Sequence, residues 1–156
     1  MRREQFSLAV SDVAWVDANA QPRLPTVTIS YAGEPAKLRQ GLLKVTEEAP
    51  NGADADLAVR LQRSADSGKA EAIVSLTHRL TGDYILELAA EPETVLTFTR
   101  AARRYGQVTE DGSRYRARIV AGDNELAAFE KGTLLIYGPD GELLRQHSLI
   151  PGGVEL

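Results

Sequence analysis

Apolar and polar residues alternate over most of this chain, which is the period of a half-buried β-strand. Phe6, Leu8 and Val10 alternate with small or polar neighbours, as do Val13 and Trp15, and Ser11-Asp12 between them predicts a bulge or kink. Thr26 to Tyr31 (TVTISY) is β-branched and aromatic, and Pro25 just before it suits a strand start. From Leu57 to Arg63, Leu57, Val59 and Leu61 share one face and Ala58, Arg60 and Gln62 the other. Ile73 to Arg79 and Tyr84 to Leu88 predict a hairpin around Thr81-Gly82-Asp83. Further strands are predicted at Tyr115 to Val120, Glu125 to Phe129, Thr133 to Tyr137 and Leu143 to Ser148. Their connections are Gly122-Asp123-Asn124 and Pro139-Asp140-Gly141, both with turn chemistry.

Two segments change to a helical period. Pro35 to Leu43 spaces Leu38, Leu42 and Leu43 along one side, with Pro35 near the first helical position. Pro92 to Tyr105 carries the stripe Val95, Phe98, Ala102 and Tyr105. Glu91 and Glu93 stand at its positive end, Arg103 and Arg104 at its negative end, and Gly106 follows as a predicted C-cap. Thr46 to Asp56 and Ser64 to Lys69 read as loops. The expected fold is α+β: a largely antiparallel sheet of about eight strands with two helices on one face. Residues 1–150 are expected to form one domain and 151–156 a C-terminal tail. A strand, a Glu-Pro helix start, a helix and a strand pair occur twice, from Thr26 and again from Tyr84. Either this is an internal β-α-β-β duplication, or Glu-Pro is simply a common helix opening.

Composition narrows the function classes. There is no cysteine, which excludes disulfides, thiolate metal sites and thiol catalysis and fits a reducing compartment. No stretch approaches the ~18 apolar residues of a membrane span. Ser7 to Val16 is broken by Ser11 and Asp12, so the paired Arg2-Arg3 opens no export signal, and a cytoplasmic protein without membrane contact is expected. The strand-to-helix turns Ala-Gly-Glu-Pro and Ala-Ala-Glu-Pro lack the spaced glycines that let a pyrophosphate approach the backbone. With only His78 and His147, neither in a helical ligand pattern, no metal or other cofactor is expected. His78 reads as a partly buried strand residue. Ser75 and Ser148 lie within predicted strands rather than on an exposed nucleophile turn, and Asp83 with Glu87 reads as a solvated strand face.

One cluster stands above this background. Arg114, Arg116 and Arg118 alternate on one strand face, and Arg100, Arg103 and Arg104 share a helical face just before it. Residues 100–118 carry +4 while the whole chain carries −4, leaving −8 elsewhere. Beside Tyr105 and Tyr115, such a stripe suits a nucleic-acid or other polyanion backbone. The competing reading pairs these arginines with an acidic row on the next strand, where Glu125 and Glu130 are available.

Met1-Arg2-Arg3 with Phe6 and Trp15-Val16-Asp17, the run Arg79-Leu80-Thr81-Gly82-Asp83-Tyr84, the helix Arg100-Ala101-Ala102-Arg103-Arg104-Tyr105-Gly106, and the ending Asp140-Gly141-Glu142-Leu143-Leu144-Arg145-Gln146-His147-Ser148-Leu149-Ile150-Pro151 together resemble an uncharacterised protein family of haloarchaea. The similarity spans nearly the whole chain. It implies an archaeal cytosolic protein working in concentrated salt, and it transfers no catalytic or binding residue. The 14 arginines against 4 lysines agree with that setting, whereas a net charge of −4 is milder than salt-adapted surfaces usually carry. The function expected from the residues is a non-enzymatic binding or interaction module for a protein partner or a second copy. Polyanion binding through the arginine stripe is the alternative, followed by an enzyme whose dispersed site leaves no local motif.

Overall fold

The computed structural model describes residues 3–18, 20–46, 55–63, 70–109 and 114–150. Among these the fold is α+β. Its strands are β1 (Phe6–Ser11), β2 (Thr26–Tyr31), β3 (Ala55–Arg63), β4 (Ala70–His78), β5 (Tyr84–Ala90), β6 (Tyr115–Ala121), β7 (Asn124–Lys131) and β8 (Leu135–Tyr137). The helices are α1 (Trp15–Ala18), α2 (Pro35–Thr46) and α3 (Pro92–Val108), and a single 3₁₀ turn (Arg3–Gln5) precedes β1.

The eight strands are as expected in number but form two four-stranded sheets rather than one. The first sheet runs β1-β2-β6-β7 and the second β5-β4-β3-β8. Pairings are antiparallel except β2 with β6 and β3 with β8, which are parallel. The reason is the amount of apolar surface to be covered. Nearly every strand has one buried face, as in the alternating burial of β2 and β6, and two helices cannot cover eight such strands. Folding the sheets face to face lets each cover the other. Leu8, Val10 and Val27 of the first sheet meet Leu57, Val59 and Val74 of the second around an apolar gap of about 10 Å³, whose lining side chains offer a water no hydrogen-bond partner.

Both helices bridge the sheets instead of lying on one face. The α2 helix packs against β5 and β7, and α3 against β4 and β1. Leu38 and Leu42 of α2, with Val95, Phe98 and Ala102 of α3, therefore join one core with both inner sheet faces. The order strand, helix, hairpin recurs as β2-α2-β3-β4 and β5-α3-β6-β7, and each helix carries the chain into the opposite sheet. The strand pairings do not repeat. Whereas β2 lies parallel beside β6, β5 lies antiparallel beside β4, and β8 takes the place parallel to β3.

Several local expectations are corrected. Ser11-Asp12 does kink the chain, with Asp12 at φ 59°, but Trp15 then opens a helical turn and not a strand. The Trp15 indole N–H donates to the Asp12 carbonyl at 2.6 Å, tying the turn down. Gly106 does not cap α3, which continues to Val108. Thr109 is the cap, its backbone N–H and its hydroxyl both donating to the Tyr105 carbonyl, at 3.0 and 2.8 Å. A Cβ at Gly106 would stand 2.9 Å from Arg114 Nε, so this glycine makes room for a side chain rather than for a turn. Leu143 to Ser148 forms no strand. After the Pro139-Asp140-Gly141 turn the chain makes one bridge at Leu143 and winds into a turn closed by Ser148 N–H to the Leu144 carbonyl. Of the predicted loop 46–56, Thr46 ends α2 while Ala55 and Asp56 open β3; 47–54 lie outside the described residues. So do Ser64–Lys69 and the predicted tail 151–156. The hairpins at Gly82 and Gly122 form as expected, with φ of 76° and 60° at these glycines.

Candidate functional site

The structure divides the six predicted arginines. On β6, Tyr115, Ala117 and Ile119 are buried, so Arg116 and Arg118 project from the outer face of the first sheet, beside Thr26 and Thr28 of β2. Arg118 Nε pairs with Glu125 Oε1 at 2.7 Å, and Arg116 stands opposite Glu130, so the acidic row on β7 faces these arginines. The α3 arginines lie elsewhere, because Phe98 of that helix packs edge-on, at 5.4 Å, against the inward-facing Tyr115 ring. Arg100 is held by Asp17 at 3.2 Å, Arg103 donates to the Ser148 carbonyl at 3.0 Å, and Arg104 extends into solvent. Arg114 folds back along Gly106.

Three polar side chains that drew attention in the sequence are structural. His78 is buried on the inner face of β4, and its Nδ1 accepts from the backbone N–H groups of Leu80 and Thr81 at 3.2 and 3.4 Å. Buried Ser148 accepts from the Ile136 N–H at 2.9 Å and donates to the Leu144 carbonyl at 2.8 Å, locking the C-terminal turn to β8. Tyr115 donates to the Thr133 carbonyl at 2.7 Å. Burial, and secondarily the nearby Asp56 charge, push its hydroxyl pKa far above the ordinary tyrosine range. Among the described residues no group of three or more Asp, Glu or His side chains could hold a metal ion. No helix there is long and apolar enough to cross a membrane.

A concave site does form where alternation along the chain predicts only a polar strand face. On the outer side of the second sheet, a groove of about 390 Å³ is lined by Arg3, Ala58, Arg60, Gln62, Ile73, Ser75, Tyr84, Glu87 and Tyr137. Its layout follows from the register. One cross-strand row is Glu87-Ser75-Ala58-Leu135 and the next is Ala89-Ile73-Arg60-Tyr137. Ala58, Ser75 and Ile73 make a shallow floor, and Ile73 is only 7% exposed although it points away from the core. The walls come from the sheet edges. Tyr84 stands on β5, Tyr137 on β8 and Arg3 in the 3₁₀ turn, and three strand spacings put the edges roughly 14 Å apart.

Electrostatically the groove is asymmetric. On the β5 side Arg3 Nε donates to Glu87 Oε1 at 2.6 Å, so these charges neutralise each other. Across the floor, Arg60 makes one long contact, 3.5 Å from its Nη2 to the Pro139 carbonyl, and pairs with no carboxylate among the described residues. At that distance little of its donor capacity is used. Sequence alternation had placed Ala58, Arg60 and Gln62 together on the polar face of β3. It gave no means of finding Arg3, Tyr84, Glu87 and Tyr137, which arrive from three other elements.

Fold and groove together define a two-sheet α+β protein with an open, polar-walled groove on the outer face of its second sheet. The chain belongs to DUF5793, a family of unknown function whose model matches residues 1–156. No curated protein and no solved structure matches it.

Proposed function

We propose that the protein is a non-enzymatic binding module whose ligand sits in the groove on the outer face of the second sheet. The observation that carries this is convergence: side chains from the 3₁₀ turn, β3, β4, β5 and β8 meet around an apolar floor. A volume of about 390 Å³ falls within the roughly 300–1,000 Å³ of small-ligand sites. The lining supports recognition in preference to covalent chemistry, since no histidine lines it and the one lining carboxylate, Glu87, is held by Arg3. The resemblance to a haloarchaeal family implies an archaeal cytoplasm of high salt as its setting; the excess of arginine over lysine agrees with it, and the net charge of −4 is milder than that setting usually brings. There the Debye length is about 3 Å at 1 M salt, so only ligands in direct contact would be held by charge.

The test is amide chemical-shift mapping with a set of neutral, anionic and cationic fragments, on the parent and on Ala58→Trp, which fills the floor. Shifts clustered on Ala58, Arg60, Ser75 and Tyr137, and lost in the variant, are expected. A second variant, Ser75→Trp, guards against misfolding of the first. Shifts confined to other surfaces would refute the reading. A second reading, contact with nucleic acid or another polyanion, draws on Arg116, which is exposed and forms no ion pair with Glu130 opposite it, and separately on exposed Arg104 on the α3 side; neither pairs with a carboxylate among the described residues. Fluorescence anisotropy with labelled DNA and RNA, for the parent and for Arg104→Ser with Arg116→Ser, decides it. Salt-sensitive binding lost in the double variant would support it, and no binding at low salt would remove it.

A further inference from the structure

We infer that the groove selects a small organic molecule with a flat apolar body and a single negative charge, the charge being read by Arg60. This rests on the groove being the binding surface. The lining contains two guanidinium groups and one carboxylate, and the Arg3–Glu87 pair cancels one of each, leaving one cationic site. Arg60 stands on β3, an interior strand of the second sheet, and its guanidinium retains donors for the fork-like contact that carboxylates, sulfonates and phosphates accept. Directly beside it in the cross-strand rows lie Ile73 and Tyr137, and one row away Ala58 and Ser75. An anion held at Arg60 would thus lay the rest of its molecule on the apolar floor.

The two tyrosines fit the same occupant. Tyr137 stands next to Arg60 in register, where its ring can flank a planar body. Tyr84 lies at the far end on β5 and is 69% exposed, so its ring is free to turn over the floor when something apolar arrives. Between them Ser75 offers a hydrogen bond at the floor, and Gln62 offers another at the rim one row beyond Arg60. A cationic ligand has no matching group, because Glu87 is already engaged. A long polyanion has none either, since one unpaired guanidinium cannot neutralise a run of phosphates.

The experiment compares two probes of the same shape, 2-naphthoate and the neutral 2-naphthalenemethanol, by amide shift titration of the full chain. Expected is tighter binding of the naphthoate, with shifts at Ala58, Arg60, Ser75, Glu87 and Tyr137. Arg60→Gln should weaken naphthoate about tenfold or more and leave the neutral probe unchanged, and Arg60→Lys should lie between. Arg60 is exposed, so these variants keep the core intact, as their thermal melting will show. If both probes bind the groove equally and Arg60→Gln changes neither, the charge selection is wrong while the groove reading stands. If neither probe moves the groove amides, both fall.

Discussion

Tyr115 offers a sharp test of the physical argument, because its hydroxyl is fully buried and has one partner. Substitution by Phe keeps the ring, and with it the contact to Phe98, and removes only the donor to the Thr133 carbonyl. A buried hydrogen bond of this kind is worth about 1–2 kcal/mol when one partner is deleted. At pH 8 the variant should be less stable by that amount. The difference must then depend on pH. Below pH 10 the tyrosine holds its proton in both folded and unfolded chains, and its contribution is complete. Above pH 10 the unfolded chain sheds the proton at the ordinary value of 10.0, while the folded chain, whose value is raised by burial, does not. The parent therefore loses about 1.4 kcal/mol by pH 11 that Tyr115→Phe cannot lose. The two stabilities should converge near pH 11 and cross above it. Urea unfolding of both proteins between pH 8 and pH 11.5 measures this directly, and other titrating groups cancel in the difference. A gap that stays constant over that range would refute the claim that Tyr115 is buried as a neutral group.

Other perturbations follow from the same packing. Ser148→Ala leaves the buried Ile136 N–H without its acceptor and should cost about 2–3 kcal/mol in urea unfolding, a large effect for the loss of one oxygen. Gly33→Ala drives a Cβ into the Tyr31 ring, which is 4% exposed and stacked on Phe6 at 4.7 Å, so the ring cannot swing away. A loss of about 1–3 kcal/mol, seen as a lowered melting temperature, is expected. Glu125→Gln breaks the pair with Arg118, but both groups are about two-fifths exposed, so the change should stay under about 1 kcal/mol and fade with added salt.

Period-2 alternation sufficed for TVTISY and for Tyr115 to Val120, because a strand with one buried face writes its burial directly into its sequence. Glycine at Gly82 and Gly122 marked the hairpins, since the turns there need positive φ. Alternation misled at Val13 to Trp15, and the turn chemistry of Pro139-Asp140-Gly141 misled at Leu143 to Ser148, where it announced a second hairpin strand. Each segment winds into a turn fixed by a specific side-chain bond, from the Trp15 indole in one and Ser148 in the other. Gly106 misled for a related reason: its missing Cβ serves Arg114, a residue eight positions away.

What the sequence determined by itself, then, was the local alphabet: eight strands, the two longer helices, most of the turns, and which face of each strand is apolar. Packing in three dimensions settled that the strands split into two sheets, that the helices bridge them, and that Arg100, Arg103 and Arg104 leave the side where Arg116 and Arg118 stand. It also decided that Arg60 shares a groove with Tyr84, Glu87, Tyr137 and Arg3. Burial periodicity is a property of neighbours along the chain, so one sequence suffices to read it. Sheet partnership and side-chain convergence depend on contacts between residues tens of positions apart, as between Arg3 and Glu87, and the energy that selects those contacts exists only once both faces of the core have closed.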